Sequence, residues 1–353
     1  MGVLAASGAE AATLPEDQAE ALVHVYQGGG VTASGPALLV RKSMADKVSL
    51  SGSVYVDMVS NASIDVVTTA SPFRETRTQV DVGMDYAVRD SIITLGLANS
   101  SEPDYKASTA SLDVSQEVFG GMTTVSLGFT RGADKVLKHG DPLFADTAKH
   151  WQYRLGATQI LTPRWLMSAN VEAISDDGFL GSPYRVARVF GAAVPERNPR
   201  TRSSRAIKLR SITDVGSEST RAAVRAEYRY FWDNWDIRAH TAEAGYSRYV
   251  QAGWLAEGFT RFYTQRHALF YSDNATTETT YVSRNRQLSS FHSVALGLKL
   301  SREFTRVKGQ YTVKAHVDYE RVAYRFSDFT DLRTGSPYSY DANVLRLYLT
   351  AAF

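Results

Sequence analysis

The sequence predicts an all-β fold, a transmembrane antiparallel β-barrel of about sixteen strands with short periplasmic turns and long extracellular loops. Three observations predict it. Apolar and polar residues alternate over about a dozen positions at a time, and the connections between such segments are alternately short and long. No run approaches the ~18 apolar residues of a membrane-spanning helix. Composition agrees: 19 tyrosines, 15 phenylalanines, 5 tryptophans and 25 glycines suit aromatic girdles and tight hairpins. Mean hydropathy is slightly negative, which argues against membrane crossing by helices and not against crossing by strands.

Alternation is clearest from Lys47 to Met58. Val48, Leu50, Gly52, Val54, Val56 and Met58 share one face; Lys47, Ser49, Ser51, Ser53, Tyr55 and Asp57 share the other. Such a period of two belongs to a strand and not to a helix. From Thr220 to Trp232 it recurs, with Ala222, Val224, Ala226, Tyr228, Tyr230 and Trp232 opposite Arg221, Arg225, Glu227 and Arg229. A charged face opposite an aromatic one suits a wet lumen and a lipid exterior. In a soluble sandwich the apolar face would need a second sheet to cover it.

The same reading places strands at roughly 20–27, 36–43, 47–60, 75–89, 91–101, 106–119, 122–133, 150–161, 164–176, 204–214, 219–233, 236–251, 253–272, 286–303, 307–327 and 344–353. Short connections fall at 44–46, 89–90, 120–121, 162–163, 216–217, 252–253 and 304–305; longer ones at 28–36, 61–74, 132–149, 177–203, 272–286 and 327–343. With short turns in the periplasm, both termini lie there only if the strand count is even. The final strand carries Leu345, Leu347, Leu349, Ala351 and Phe353 on one face. A terminal phenylalanine on an alternating strand resembles the signal read by the outer-membrane barrel-insertion machinery. At the other end, Gly8-Ala9-Glu10-Ala11-Ala12 contains an A-x-A step like the close of a secretory signal peptide. Residues 1–19 are expected to be a signal remnant or a disordered N-terminus, with the barrel occupying 20–353.

Charge and cysteine content exclude several classes. With 39 basic and 37 acidic residues, the formal charge is +2, giving no basic domain and no expectation of a nucleic-acid partner. The absence of cysteine removes disulfides, thiolate metal sites, thiol nucleophiles and a lipidated cysteine.

Inward-facing charges are the main site candidates. Asp57, Asp81, Asp85, Asp113 and Glu117, diluted by Lys47, Arg77 and Arg89, predict an acidic sector. Lys208, Arg210, Arg221, Arg225 and Arg229, with Glu227 among them, predict a basic one, and Arg261, Lys299, Lys314 and Arg346 follow in later strands. Opposed sectors would set a transverse field across the lumen; the alternative is a set of structural ion pairs around a narrow or plugged lumen. Ser63, Asp65, Thr68 and Thr69 lie in a loop rich in β-branched residues, expected to form a constriction or a partner surface unless the preceding strand simply extends. Arg185, Arg188, Arg197, Arg200 and Arg202 make loop 177–203 basic, suited to lipopolysaccharide phosphates.

Other constellations are weaker. His316, Asp318 and Glu320 alternate on one inward face and suit a weak divalent-metal site or an ordinary hydrogen-bonded cluster. Ser290 and His292 share an outward face and resemble the serine–histidine pair of outer-membrane phospholipases, with the order reversed and no orienting carboxylate in view. Asp233-Asn234-Trp235-Asp236 and Asp328 with Asp331 offer oxygen ligands for calcium without the full loop pattern. The expectation is no enzyme chemistry, no cofactor and no resident metal.

Three stretches carry a family resemblance: Tyr26-Gln27-Gly28-Gly29-Gly30-Val31, Gly35-Pro36-Ala37-Leu38-Leu39-Val40-Arg41-Lys42, and Ser60-Asn61 followed by Ala62-Ser63-Ile64-Asp65-Val66-Val67-Thr68-Thr69-Ala70-Ser71-Pro72. Together they resemble an uncharacterised family of Gram-negative outer-membrane proteins, catalogued as a domain of unknown function. The resemblance covers nearly the whole chain from about residue 20 onward. It implies a barrel in the outer membrane of a Gram-negative bacterium, in contact with lipid and lipopolysaccharide. It also implies gene neighbours that include a thioredoxin-like protein, a small lipoprotein and a flavin transferase, and it implies no catalytic residues. The expected function is a pore for small polar or charged solutes. The alternatives are a sheath or docking scaffold for envelope partners such as the small lipoprotein, or a lipid-modifying hydrolase.

Overall fold

The computed structural model describes residues 12–61, 73–217, 220–251, 253–307 and 310–353. Its strands are β1 (Gln18–Gly28), β2 (Val31–Ala45), β3 (Val48–Asn61), β4 (Phe73–Val88), β5 (Ser91–Ser101), β6 (Tyr105–Val118), β7 (Thr123–Leu137), β8 (Ala145–Thr162) and β9 (Trp165–Gly178). They continue as β10 (Val186–Val189), β11 (Ala192–Pro195), β12 (Thr201–Asp214), β13 (Ala222–Asp233), β14 (Arg238–Gln251), β15 (Trp254–Gln265), β16 (Phe291–Val307), β17 (Tyr311–Asp331) and β18 (Ser336–Ala352). Sixteen of these form one closed antiparallel barrel, and β10 with β11 form a separate two-stranded ribbon. The first and last strands close the seam, with His24 opposite Arg346 and Val25 opposite Leu345.

Period-two sequence fixes which way each side chain faces. On β16, Leu296 and Leu298 are 63% and 68% exposed, whereas the intervening face holds Ala295 at 2%. Val294, Leu300, Leu347, Leu349, Val54 and Val82 are also exposed on the outside. A shift of one residue in pairing would carry all of these into the lumen, so the apolar face holds the register. The expected faces of strands 47–58, 220–232 and 344–353 are those observed.

Strand ends differ from the sequence reading. The expected long connection at 28–36 is the two-residue turn Gly29–Gly30, whose φ values of 57° and 79° are left-handed and natural for glycine. The expected loop 327–343 is largely strand: β17 runs to Asp331 and β18 begins at Ser336. Both strands outrun their outward apolar residues but keep inward aromatics such as Phe326 and Tyr340, and those aromatics pack against each other. Conversely, the expected strand 253–272 stops at Gln265, and the next begins at Phe291 after the short 3₁₀ turn Arg286–Leu288.

The N-terminal boundary also moves. Gln18 and Ala19 already pair with Ala352 and Ala351, so the barrel begins before residue 20. Residues 12–17 pack across the short-turn end: the Ala12 N–H donates to the Arg89 carbonyl at 2.8 Å, and the Phe353 N–H donates to the Asp17 carbonyl at 3.0 Å. Lys42 reaches Asp17 at 2.7 Å and lies 4.9 Å over the Phe353 ring, so the chain ends and β2 are joined at one point. Residues 1–11 lie outside the described residues.

Two expectations follow. A Cβ on Gly35 would lie 1.7 Å from the Val56 carbonyl oxygen. Gly35→Ala should therefore cost roughly 1–3 kcal/mol of stability, read as a lower temperature for loss of the compact gel band. The bonds from Lys42 and Ser43 hold the Asp17 carboxyl at about 2. Because the folded value is depressed, this contribution is complete above the unfolded value of 3.8 and fades as pH falls toward 2. Asp17→Asn should lower the transition temperature near neutral pH and leave it unchanged in strong acid.

Candidate functional site: an ion-paired lumen under a loop cap

The expected lumen residues Asp57 (β3), Asp81 and Asp85 (β4), Asp113 (β6), Lys208 and Arg210 (β12), and Arg225, Glu227 and Arg229 (β13) face inward. So do Arg261 (β15), Lys299 (β16), Lys314 (β17) and Arg346 (β18). Glu117 keeps the inward parity but is exposed at the short-turn rim, and Arg221 is exposed just before β13 begins.

Their arrangement differs from two opposed walls. Glu227 accepts from Lys208 at 2.9 Å and from Arg210 at 2.7 Å. Arg229 reaches Glu172 on β9 at 3.1 Å. Arg225 and Arg261 converge on Glu243 of β14, with Arg261 at 2.8 Å. Arg261 also reaches Glu320 at 3.0 Å, and Arg346 reaches Asp318 at 2.6 Å. Among the described residues the basic sector is thus an alternating belt of cations and carboxylates. Buried or half-buried cations adopt this arrangement because an unpaired charge in a confined interior is expensive. Glu172 and Glu243, like Glu257 and Glu303 beside Lys299 and Lys314, are carboxylates that sequence reasoning missed. Each sits on the inward parity of its own strand, and that parity was the available signal.

On the other side, Asp57 accepts from Arg77 at 3.1 Å and lies 2.7 Å from His24 Nε2. Asp85 accepts from Thr94 at 2.7 Å and faces Arg41 at 3.7 Å. Asp81 accepts from Ser53 and Gln79, each at 2.9 Å. Asp113 binds Arg154 at 2.7 Å across β7, where Gly128 leaves the room: a Cβ there would lie 2.2 Å from the Asp113 carboxylate. Lys299 pairs with Glu257 at 3.2 Å, and Lys314 lies 3.9 Å from Glu303.

The long-loop end is covered by two loops that bind each other. Loop 179–200 carries the β10–β11 ribbon, and loop 266–290 joins β15 to β16. The Ala275 N–H donates to the Arg188 carbonyl and the Phe190 N–H to the Ala275 carbonyl, both at 2.8 Å; Arg197 and Val282 exchange two backbone bonds at 2.9 Å. Ala187, Val189, Ala275 and Val282 form a small apolar core between the loops. Loop 266–290 is seated on the barrel by a larger cluster that includes Tyr271, Leu288, Phe326, Phe329 and Tyr338. Arg284 fixes this seat: it pairs with Asp273 at 2.7 Å, donates to the Thr330 carbonyl at 2.6 Å and lies 4.3 Å over the Phe329 ring. Burial pushes the Tyr271 phenol well above its usual range, so it stays a donor to the Asp328 carbonyl. Sequence reasoning assigned the constriction to Ser63, Asp65, Thr68 and Thr69, which lie outside the described residues.

The remaining candidates find structural partners. Arg202 turns inward to Asp233 at 2.6 Å and stacks 4.6 Å over Trp235, so it does not face lipopolysaccharide; burial of the Asp233 carboxylate draws it in. Arg185 lines a cavity beneath the cap. Arg188 and Arg197 donate to the Gly191 and Thr279 carbonyls, and Arg200 grips Asp146 with two bonds of 2.7 Å. Arg197 and Arg200 are the two of these five that are exposed.

Ser290 and His292 part company. His292 stays outward on β16, whereas Ser290 Oγ lies 3.2 Å from His267 Nδ1, the same nitrogen that meets Asp328 at 2.7 Å. One ring nitrogen serving both neighbours is not the relay of a hydrolytic triad, in which the two nitrogens divide the work. His316 bonds Ser301 at 2.7 Å and stacks on Tyr348, while Asp318 and Glu320 are held by arginines. Asp233 accepts from the Trp235 and Ile237 N–H groups, and Asp331 from Arg333. These carboxylates shape turns.

Breaking the Arg284 anchor should loosen the cap alone. Arg284→Ala is expected to cost roughly 3 kcal/mol in local stability and to expose loop 266–290 to protease, with the barrel core remaining intact on gels.

The fold has relatives among solved structures. CdiB from Acinetobacter baumannii aligns over 95% of this chain with a TM-score of 0.52 and 9% identity; the chain spans 60% of that protein's length. A bacterial polysaccharide outer membrane secretin aligns over 96% of this chain and 100% of its own, with a TM-score of 0.51 and 9% identity. At such identities the likeness is one of fold. No curated protein sequence matches the chain. A family model matches residues 5–148 and 142–325, and with it the barrel is placed: the chain belongs to the family described as protein of unknown function (DUF3570).

Proposed function

We propose that this barrel resides in the outer membrane of a Gram-negative bacterium and passes small polar or charged solutes, with the two joined loops governing entry. The observation that carries the reading is the division of the wall. Exposed leucines and valines cover the outside, while the inside carries an alternating belt centred on Glu243, Arg261, Glu320 and Arg346. Such an interior favours water and dipolar solutes over apolar ones, and a sixteen-stranded barrel is wide enough to hold an aqueous interior. The reading assigns no covalent step.

Planar-bilayer recording tests it. The purified barrel should conduct ions, and Glu243→Gln, which leaves Arg225 and Arg261 in excess, should shift the reversal potential toward anion selectivity. A unit charge ~8 Å from the ion path in a watery medium is worth about 0.5 kcal/mol, or roughly twofold in permeability ratio. Folded barrels that carry no current would overturn the proposal and favour a docking role.

A further inference from the structure

The outward faces of β6, β7 and β8 change character in step toward the long-loop end. Leu127 of β7 faces Leu155 of β8, Phe129 faces Tyr153, and Arg131 faces Trp151. Beyond them come Lys149 on β8 and Lys135 on β7, with Lys106 of β6 directly opposite Lys135. All four cations are exposed, as are Leu127, Leu155 and Tyr153. The order is aliphatic, aromatic, cationic. An apolar band ~25 Å tall takes about ten residues of a strand tilted by ~40°. Counted from Gly121, in the short turn before β7, that length ends at Arg131, so the cations begin where hydrocarbon stops.

These cations are unmatched, unlike those of the lumen belt, where Arg225, Arg229, Arg261 and Arg346 each hold a carboxylate. Among the described residues, Lys106, Arg131, Lys135 and Lys149 have no ion pair and no side-chain hydrogen bond. Asp177 stands across the ladder from Lys149 without pairing with it. Like charges directly opposite on adjacent strands, as Lys106 and Lys135 are, destabilise a sheet. Folding alone gives no reason to gather these side chains, and an anion among them removes the repulsion.

We infer that this patch binds an outer-leaflet lipid whose headgroup carries more than one phosphate, as the lipid A part of lipopolysaccharide does. The inference rests on the reading that the barrel resides in the outer membrane. Four cations less Asp177 leave three positive charges, more than the roughly 1.5–2 negative charges of a single phosphate group. Arg131 presents a planar fork to phosphate oxygens, and the lysines add point charges. The acyl chains lie on Leu127, Leu155 and the rings of Phe129 and Tyr153, whose centroids are 5.2 Å apart. Free phosphate makes no use of this adjoining apolar surface, and a lipid does.

The test is retention of lipid on the tagged full chain, captured from an uncharged detergent and washed. Diphosphoryl lipid A should be retained at least about tenfold over phosphatidylcholine, and inorganic phosphate at equal concentration should not displace it. Lys106→Gln, Arg131→Gln, Lys135→Gln and Lys149→Gln together should cut retention about tenfold or more. A control removes the same charge from four exposed cations toward the short-turn end, Lys47, Arg164, Arg221 and Arg248. With each changed to Gln, retention should move less than about twofold, because those charges lie beyond screening distance. Compact gel migration checks that each variant is folded. Lys135→Gln alone, which relieves the opposition to Lys106, should still lower retention about threefold if the fourfold variant misfolds. Equal retention of phosphatidylcholine, displacement by phosphate, unchanged retention in the folded patch variants, or an equal loss in the control would overturn the inference. A barrel that binds lipid A and carries no bilayer current keeps this site and loses the conduction reading; current without lipid A retention does the reverse.

Discussion

Peptide N–H and C=O groups that face hydrocarbon have no water to bond, so an extended chain survives there only when every strand has two neighbours. That requirement closes the sheet, and closure forces the pairing of β1 with β18. Once the sheet is closed, each residue faces either the surroundings or the enclosed space. The outward face takes Leu296, Leu298 and Leu347, which would be a liability in water. The inward face takes the ions, and confinement then obliges them to pair.

This sequence of constraints explains the lumen better than a net field does. Cations on β12 and β13 looked unopposed along their own strands, apart from Glu227. Their partners come from strands on either side, Glu172 of β9 and Glu243 of β14. Small residues on intervening strands make room for such contacts, as Gly128 does between Asp113 and Arg154. The belt therefore fixes the interior side chains in place while keeping the lining polar, and the cap adds a second, mostly aromatic level above it.

Much of this was legible beforehand because strand parity is a local property of the chain. The faces of strands such as 47–58 and the inward parity of Arg261 and Arg346 follow from alternation alone, and the strand number from alternation together with the even count that two periplasmic termini require. What escaped is non-local. Alternation weakens where strands leave the apolar zone, so the extensions of β17 and β18 were read as loop. The cap depends on backbone bonds between segments some 85 residues apart, Arg197 with Val282, and on Glu196 bonding Ser283 and Arg284. Neither loop has a periodicity to announce that contact. Ser290 illustrates the same limit: its neighbour in sequence, His292, points away, and its partner in space is His267.

The chain contains no cysteine, so single cysteines introduced from position 294 to position 301 on β16 can each carry a spin label. Collision with oxygen dissolved in the bilayer should be high at 294, 296, 298 and 300 and low at 295, 297, 299 and 301. A flat profile, or one with its maxima at the odd positions, would contradict the account.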